Sequence, residues 1–197
     1  NILEHTAKLY IRNKIFERRY QRDGSIMSIK KYYATKDNSI TNKFKTSEYT
    51  TRCTGSNIGS ADILEVYSFY NRNGASSAEI SRTLIEFPIN QISADRTAGL
   101  IPDSGSVVFK FKLFNARHFY SLPFGYDIQV AGLSAAWDEG VGLDAANYED
   151  LTRDVTGSNW MKSSGATSWT RPGGDFYSDA SSSFRQTISS GPEDLDV

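Results

Sequence analysis

One cysteine, two histidines and five prolines leave little material for several kinds of chemistry. With Cys53 alone, no internal disulfide forms, and no CxxC pair is present to hold zinc or exchange thiols. His5 stands near the start and His118 ends an expected strand, so neither a histidine metal cluster nor a Ser/His/Asp triad is well supplied. The motifs GxxxxGK(S/T) and GxGxxG, which cradle phosphate, do not occur. No cofactor is expected. No apolar run approaches the ~20 residues of a spanning helix, so no membrane partner is expected. The opening NILEHTAKLY lacks the basic start and apolar centre of a signal peptide, and there is no N-x-S/T sequon. Net charge is also scarce: Lys+Arg 22 against Asp+Glu 23 gives −1, which excludes a strong general pull on nucleic acid. A soluble chain outside the classical secretory route is the expectation.

What the chain does have is aromatic and β-forming. Aromatics make up 13% of it, with 11 Tyr and 11 Phe, a composition suited to half-buried pleated surfaces. At 197 residues and 22.0 kDa it fits one domain, or one domain with an extension, and can bury a substantial core. Residues 1–25 read as an N-terminal arm or extension and 26–197 as a β-domain. Met27 stands where a second start would fall. The arm is basic at Arg12, Lys14, Arg18, Arg19 and Arg22. Leu9, Phe16 and Tyr20 fall near one face of a short helix, an alternative to a solvated leader. The start without Met and the alternating GPEDLDV at the end read as boundaries within a longer chain, the last a strand cut short.

Beyond residue 26 the periodicity is two. ILEVYSFY (63–70), EISRTLIEFPI (79–89), SVVFKFKLFNAR (106–117), FGYDIQVAGL (124–133) and SSFRQTISS (182–190) all read as strands. Pro88 closes the second. In the third, Val107, Phe109, Phe111 and Leu113 alternate with Val108, Lys110, Lys112 and Phe114, the pattern of a strand with one wet face. Turn-rich pieces such as NRNGASS, IPDSGS and RPGGDF separate them. With no long amphipathic helix, the expected class is all-β, an antiparallel β-sandwich or jelly roll.

Chemistry, if present, falls to carboxylates and aromatics. Asp138, Glu139, Asp144, Glu149, Asp150 and Asp154 crowd one Gly-containing stretch. A glycosidase needs two carboxylates facing across a cleft at roughly 5–9 Å. Calcium needs six to eight oxygens, and DEGVGLDAANYED lacks the alternating spacing of an EF-hand loop. Asp138, Asp144 and Asp175 remain weak candidate ligands, though acids in such loops usually cap backbone N–H groups. Trp137, Trp160 and Trp169, with Tyr148 and Tyr177, can stack on sugar rings or pack into a core rim. Arg82, set among apolar neighbours in a strand, suits either a ligand contact or a structural bond to loop carbonyls.

The ordered series ATKDNSITN, GSNIGSADILEVYS, SRTLIEFPI, SVVFKFKLFNAR, AAWDEGVGLD, SWTRPGGDF and EDLDV resembles DNRLRE-type β-sandwich domains, jelly rolls like the TGF-β propeptide. The resemblance spans roughly residues 30–197. It matches the opening strand at Asp37, the Asn-x-Gly turn at Asn57 and Gly59, the R-x-L-x-x-F strand at Arg82, Leu84 and Phe87, and the W-x-E-G turn at Trp137, Glu139 and Gly140. The acidic stretch after WDEG, the GSNW turn and the GGD loop are similar to virion structural proteins of tailed bacteriophages, marine and cyanobacterial ones especially. The first 26 residues lie outside that pattern.

The resemblance implies no catalytic residue and no enzyme. It implies a structural protein of the virion, in capsid decoration, head fibre, neck or tail. Such a protein has other virion subunits as partners, forms a homo-oligomer, and has no specific nucleic acid. The arm would dock through Arg12, Ile15, Phe16, Arg18 and Arg19. In this light Trp137 plugs one end of the sandwich and the acids cap turn amides. The alternative is a carbohydrate-binding or adhesion module for host glycan, using Trp137, Trp160 and Trp169.

Overall fold

The computed structural model describes residues 9–22, 25–45, 50–70, 78–102, 107–116, 126–144, 156–177 and 183–188. Strand dominates and helix is minor. The strands are β1 (Leu9–Arg22), β2 (Ser25–Tyr33), β3 (Lys36–Thr41), β4 (Leu64–Val66), β5 (Ser68–Tyr70), β6 (Ala78–Glu86), β7 (Val107–Asn115), β8 (Tyr126–Ala131) and β9 (Ser183–Ile188). The helix α1 (Ile89–Thr97) lies between β6 and β7.

All pairings among these strands are antiparallel. In the largest sheet β1 is central: β4 pairs with its first residues, β2 with the rest of that side, and β7 runs along it in two stretches separated by a register shift. A second sheet has the order β3-β6-β5, and β8 pairs β9. The short helix expected near Leu9, Phe16 and Tyr20 is not formed. Tyr10, Ile11, Ile15, Phe16 and Tyr20 favour the pleated surface as strongly as a helix face. Two long partner strands complete their backbone hydrogen bonds, so tertiary pairing overrides the ambiguous local pattern. The stretch read as an arm thus enters a sheet at Leu9.

The strand expected over 63–70 is split at Tyr67, which is 3% exposed. β4 pairs β1, whereas β5 pairs β6, so the chain passes from one sheet to the other at this residue. Ser81 holds the corner: its Oγ accepts from Tyr67 N–H at 2.8 Å, and its N–H donates to Tyr67 O at 3.0 Å. Tyr67 also shares a 2.6 Å hydroxyl bond with Thr41. Burial pushes its phenol well above the usual tyrosine range.

Helix α1 was not expected. It follows Pro88 with no polar capping side chain and buries only Ile92, so it carries almost no amphipathic signal. Ile92 packs with Tyr32 and Ile101, and Tyr32 Oη donates to Asp95 at 2.6 Å. Leu64 anchors another cluster with Val66, Ile85, Leu113 and Ile128, which joins β4, β6, β7 and β8. The terminal run GPEDLDV lies outside the described residues.

Candidate functional site

The register of β3 and β6 sets the floor of the site. Asn38 opposes Leu84 and Ile40 opposes Arg82, so these four share one sheet face. Trp137, Trp160 and Trp169 pack onto Ile40 and Leu84, with Ile80, Leu133 and Ala135 around them. The three indoles are 6%, 7% and 5% exposed. Their faces are therefore core surface, and the sugar-stacking role weighed for them is corrected: burial leaves no ring face to present. Trp169 Nε1 donates to Asn159 O at 2.8 Å, which satisfies its one polar atom. Arg82 lies with its guanidinium about equally near the rings of Trp160 (5.1 Å) and Phe176 (5.0 Å), and it donates to Gly173 O. Desolvation, then Arg171, lowers its pKa. It is a structural arginine holding a loop carbonyl.

Above this floor, four loop segments are tied by side-chain amides. Asn57 is 1% exposed and uses nearly all its hydrogen-bonding capacity. Its Nδ2 donates to Glu139 O and to Ser158 O, both at 2.8 Å. Its Oδ1 accepts from Gly142 N–H at 2.8 Å and from Gly59 N–H at 3.2 Å, the second closing the expected Asn-x-Gly turn. Its own N–H donates to Asp144 Oδ2 at 3.2 Å, and Asp144 N–H returns a 3.2 Å bond to Asn57 O. Asn38, 0% exposed, donates to Ser158 O and Oγ at 2.9 Å and accepts from Ile58 N–H at 3.0 Å.

The W-D-E-G residues enter this knot in distinct ways. Glu139 Oε1 accepts from Asp37 N–H at 2.7 Å, so its carboxylate fastens the loop to the start of β3. Asp138 enters through its main chain: its N–H donates to Ser163 O at 2.9 Å and its O accepts from Ser158 N–H at 2.7 Å. Gly140 takes φ +80°, a left-handed turn that disfavours a side chain. A Cβ at Gly142 would fall 2.2 Å from Asn57 O, so only glycine permits this approach of two backbones.

The aspartates weighed as metal ligands are engaged separately. Asp144 is buried on Asn57 N–H. Asp175 accepts from the N–H groups of Thr170 (2.8 Å) and Arg171 (2.9 Å), and these bonds, Thr170's foremost, hold its carboxyl below the usual range. Among the described residues, no group of three or more His, Cys, Asp or Glu is placed to hold a metal ion. Tyr148, Glu149, Asp150 and Asp154 lie outside the described residues. Cys53 is fully buried with Ile58 and Tyr67.

Beside the knot is an open, polar hollow of about 350 Å³, lined by Tyr33, Ala34, Asp37, Gly59, Ser60, Ala61 and Asp62. Tyr33 is 60% exposed at its edge. Sequence reading missed Asn38 and Ser158, whose importance comes only from being buried together. Tyr33 gave no signal because an exposed tyrosine at a strand end is common.

No family model matches the chain, and neither a curated protein nor a solved structure matches it.

Proposed function

We propose that this chain is a non-enzymatic structural protein of a tailed-phage virion, in capsid decoration, head fibre, neck or tail, and that its sheets are parts of a β-sandwich or jelly roll. One observation carries the non-enzymatic part. Among the described residues in and around WDEG, Glu139, Asp144 and Trp137 are committed to holding loops on the β3–β6 sheet. Glu139 and Asp144 bind backbone amides, and Trp137 lies in the core. An active site needs groups poised toward a substrate. Glu139, Asp144 and Trp137 are instead engaged by the fold. The virion assignment rests on the ordered resemblance of residues 30–197 to DNRLRE-type phage proteins. Other capsid, neck or tail subunits are the partners it implies, together with further copies of the chain.

Antibody against the chain, applied to purified tailed-phage particles from its source, tests the assignment. Label at a fixed place on the particle supports it. Label confined to the soluble fraction sinks it. Replacing Asp138 by Asn and Glu139 by Gln should abolish no activity of the intact chain, whichever hydrolytic substrate is offered.

A glycan-binding reading is favoured by one feature, and not at the tryptophans. The exposed ring of Tyr33 borders a hollow with Asp37, Ser60 and Asp62, which offers a stacking face beside hydrogen-bonding groups. Calorimetry with oligosaccharides separates the readings: binding lost in Tyr33→Ala favours glycan recognition, and no heat from the wild type dismisses it.

A further inference from the structure

The hollow beside the knot has two walls, and the WDEG loop holds both. One wall is the turn from β2 into β3. There Thr35 N–H donates to Glu86 O at 2.8 Å, and Asp37 N–H donates to Glu139 Oε1 at 2.7 Å. The other wall is the turn after Asn57. Its Gly59 N–H donates to Asn57 Oδ1 at 3.2 Å, Ser60 N–H to Gly142 O at 3.0 Å and Ala61 N–H to Ile58 O at 3.1 Å. A Cβ on Gly59 would fall 2.2 Å from Glu139 O, so the second wall lies hard against the loop that anchors the first. The shape is set before any ligand arrives, which lowers the ordering cost of binding. At about 350 Å³ the hollow stands near the small end of small-molecule sites, with room for a sugar ring and its substituents.

Its charged groups have one sign. Asp37 and Asp62 line it together with Ser60, and no Lys, Arg or His is among the lining residues. Lys36, next to Asp37 in sequence, is engaged elsewhere: its Nζ pairs with Glu86 at 3.2 Å and donates to Trp137 O at 3.4 Å. Asp62 is exposed and, among the described residues, pairs with no base. Two carboxylates at one open hollow repel an acid and favour a cation. Tyr33, 60% exposed at the edge, adds a ring face that attracts a cation and also packs on the apolar face of a sugar.

Building on the glycan-binding reading of this hollow, we propose that its ligand is an amino sugar with a free ammonium group, a deacetylated hexosamine. The ammonium offers donors only and the two carboxylates are acceptors, so charge and hydrogen bonding agree. The Ser60 hydroxyl is suited to a ring hydroxyl, and the Tyr33 ring to the sugar face. N-acetylation would remove the charge and two of the donors. A uronic or sialic acid would set carboxylate against carboxylate. A lysine side chain brings the same ammonium but no ring to lie on Tyr33, so the amino sugar uses more of what the hollow offers. Failure of this assignment would leave the virion reading standing.

Calorimetry of the full chain at about pH 6, where carboxylates are ionised and amines protonated, tests the proposal. The probes are a β-1,4-linked glucosamine tetramer, its fully N-acetylated counterpart, the neutral glucose tetramer and N-acetyl-lysine amide. The glucosamine tetramer should bind, more weakly at about 0.5 M salt, where screening is strong. The other three should bind at least about tenfold more weakly. Asp62→Asn should weaken the glucosamine tetramer about tenfold or more, and Tyr33→Ser should weaken it as well. Both residues are exposed, and circular dichroism checks that each variant folds. Equal binding of the acetylated or neutral tetramer would keep the glycan reading and overturn the ammonium. Equal binding of the lysine amide would assign the hollow to a protein side chain and also overturn it. Undiminished binding in Asp62→Asn would do the same by placing the sugar elsewhere. No heat from any sugar would remove both the glycan reading and this proposal.

Discussion

Two regions of this molecule hold together by different means. The sheet of β1, β2, β4 and β7 is built on backbone ladders: β1, β2 and β7 are long strands, paired over extended stretches between register shifts. The region from Leu133 to Phe176 that covers the β3–β6 sheet has almost no regular structure in its described parts, only isolated bridges such as Leu133 with Phe176 and Lys162 with Ser168. Yet it contains the three buried tryptophans and the fully buried Ser158. The ladder satisfies backbone groups in the first region without drawing on side chains. In the second, Asn57, Asn38, Glu139 and Asp144 do what a ladder would do, and their side chains are consumed in doing it. Buried irregular backbone demands buried polar side chains. Polar residues in such loops are therefore poor evidence of catalysis.

Substitutions sharpen this contrast. The largest effect is expected at Gly142→Ala, where the new Cβ meets the backbone of Asn57. Overpacking against backbone should cost about 3 kcal/mol or more, and urea unfolding measures it. Trp160→Ala should follow, at about 3–5 kcal/mol less any relaxation of the cluster, read from the same unfolding curves. Glu139→Gln keeps an oxygen for Asp37 N–H but loses the charge, so about 1 kcal/mol is expected, with no change in any binding. On the regular sheet, Tyr33→Ser should shift stability by less than about 0.5 kcal/mol, since Tyr33 is exposed. A large loss there would break the comparison.

A pH profile probes the join between sheet and helix. Lys30 and Tyr32 both bind the Asp95 carboxylate, and the Lys30 bond foremost holds its pKa below the usual value. A carboxyl lowered in the folded state contributes stability above the unfolded pKa, near ~3.9, and loses it as pH falls through the folded value. Asp95→Asn should flatten that part of the acid limb of a melting-temperature profile and leave its neutral plateau slightly lower.

The two regions were not equally legible in sequence. Strands β6, β7, β8 and β9 could be read from alternation, because a strand half in water writes its burial into every second residue. Pro88 marked the end of β6. β1 was misread since Ile15 and Phe16 are apolar neighbours, which breaks alternation, and the partners that settle it are β2 and β7. The break at Tyr67 was hidden because β4 and β5 keep a common pattern while joining different sheets. At the site, WDEG was visible as a turn. The capping role expected for its acids is seen at Glu139 and Asp144. Asn38 and Ser158 carried no signal, because a buried Asn or Ser looks like any loop residue until its partners are known.

The central claim is that the WDEG loop is a fold-holding knot centred on Asn57. Thermal unfolding of Asn57→Ala tests it most directly, with exposed Asp138→Asn as the comparison. Removing one amide strands Gly142 N–H and Glu139 O inside the protein, while Ser158 O keeps its bond from Asn38, a loss of about 3–5 kcal/mol. For a chain of this size, that is a fall of about 10 °C in Tm, while Asp138→Asn leaves Tm unchanged. An unchanged Tm in Asn57→Ala would contradict the account, and would return the acidic loop to consideration as a site.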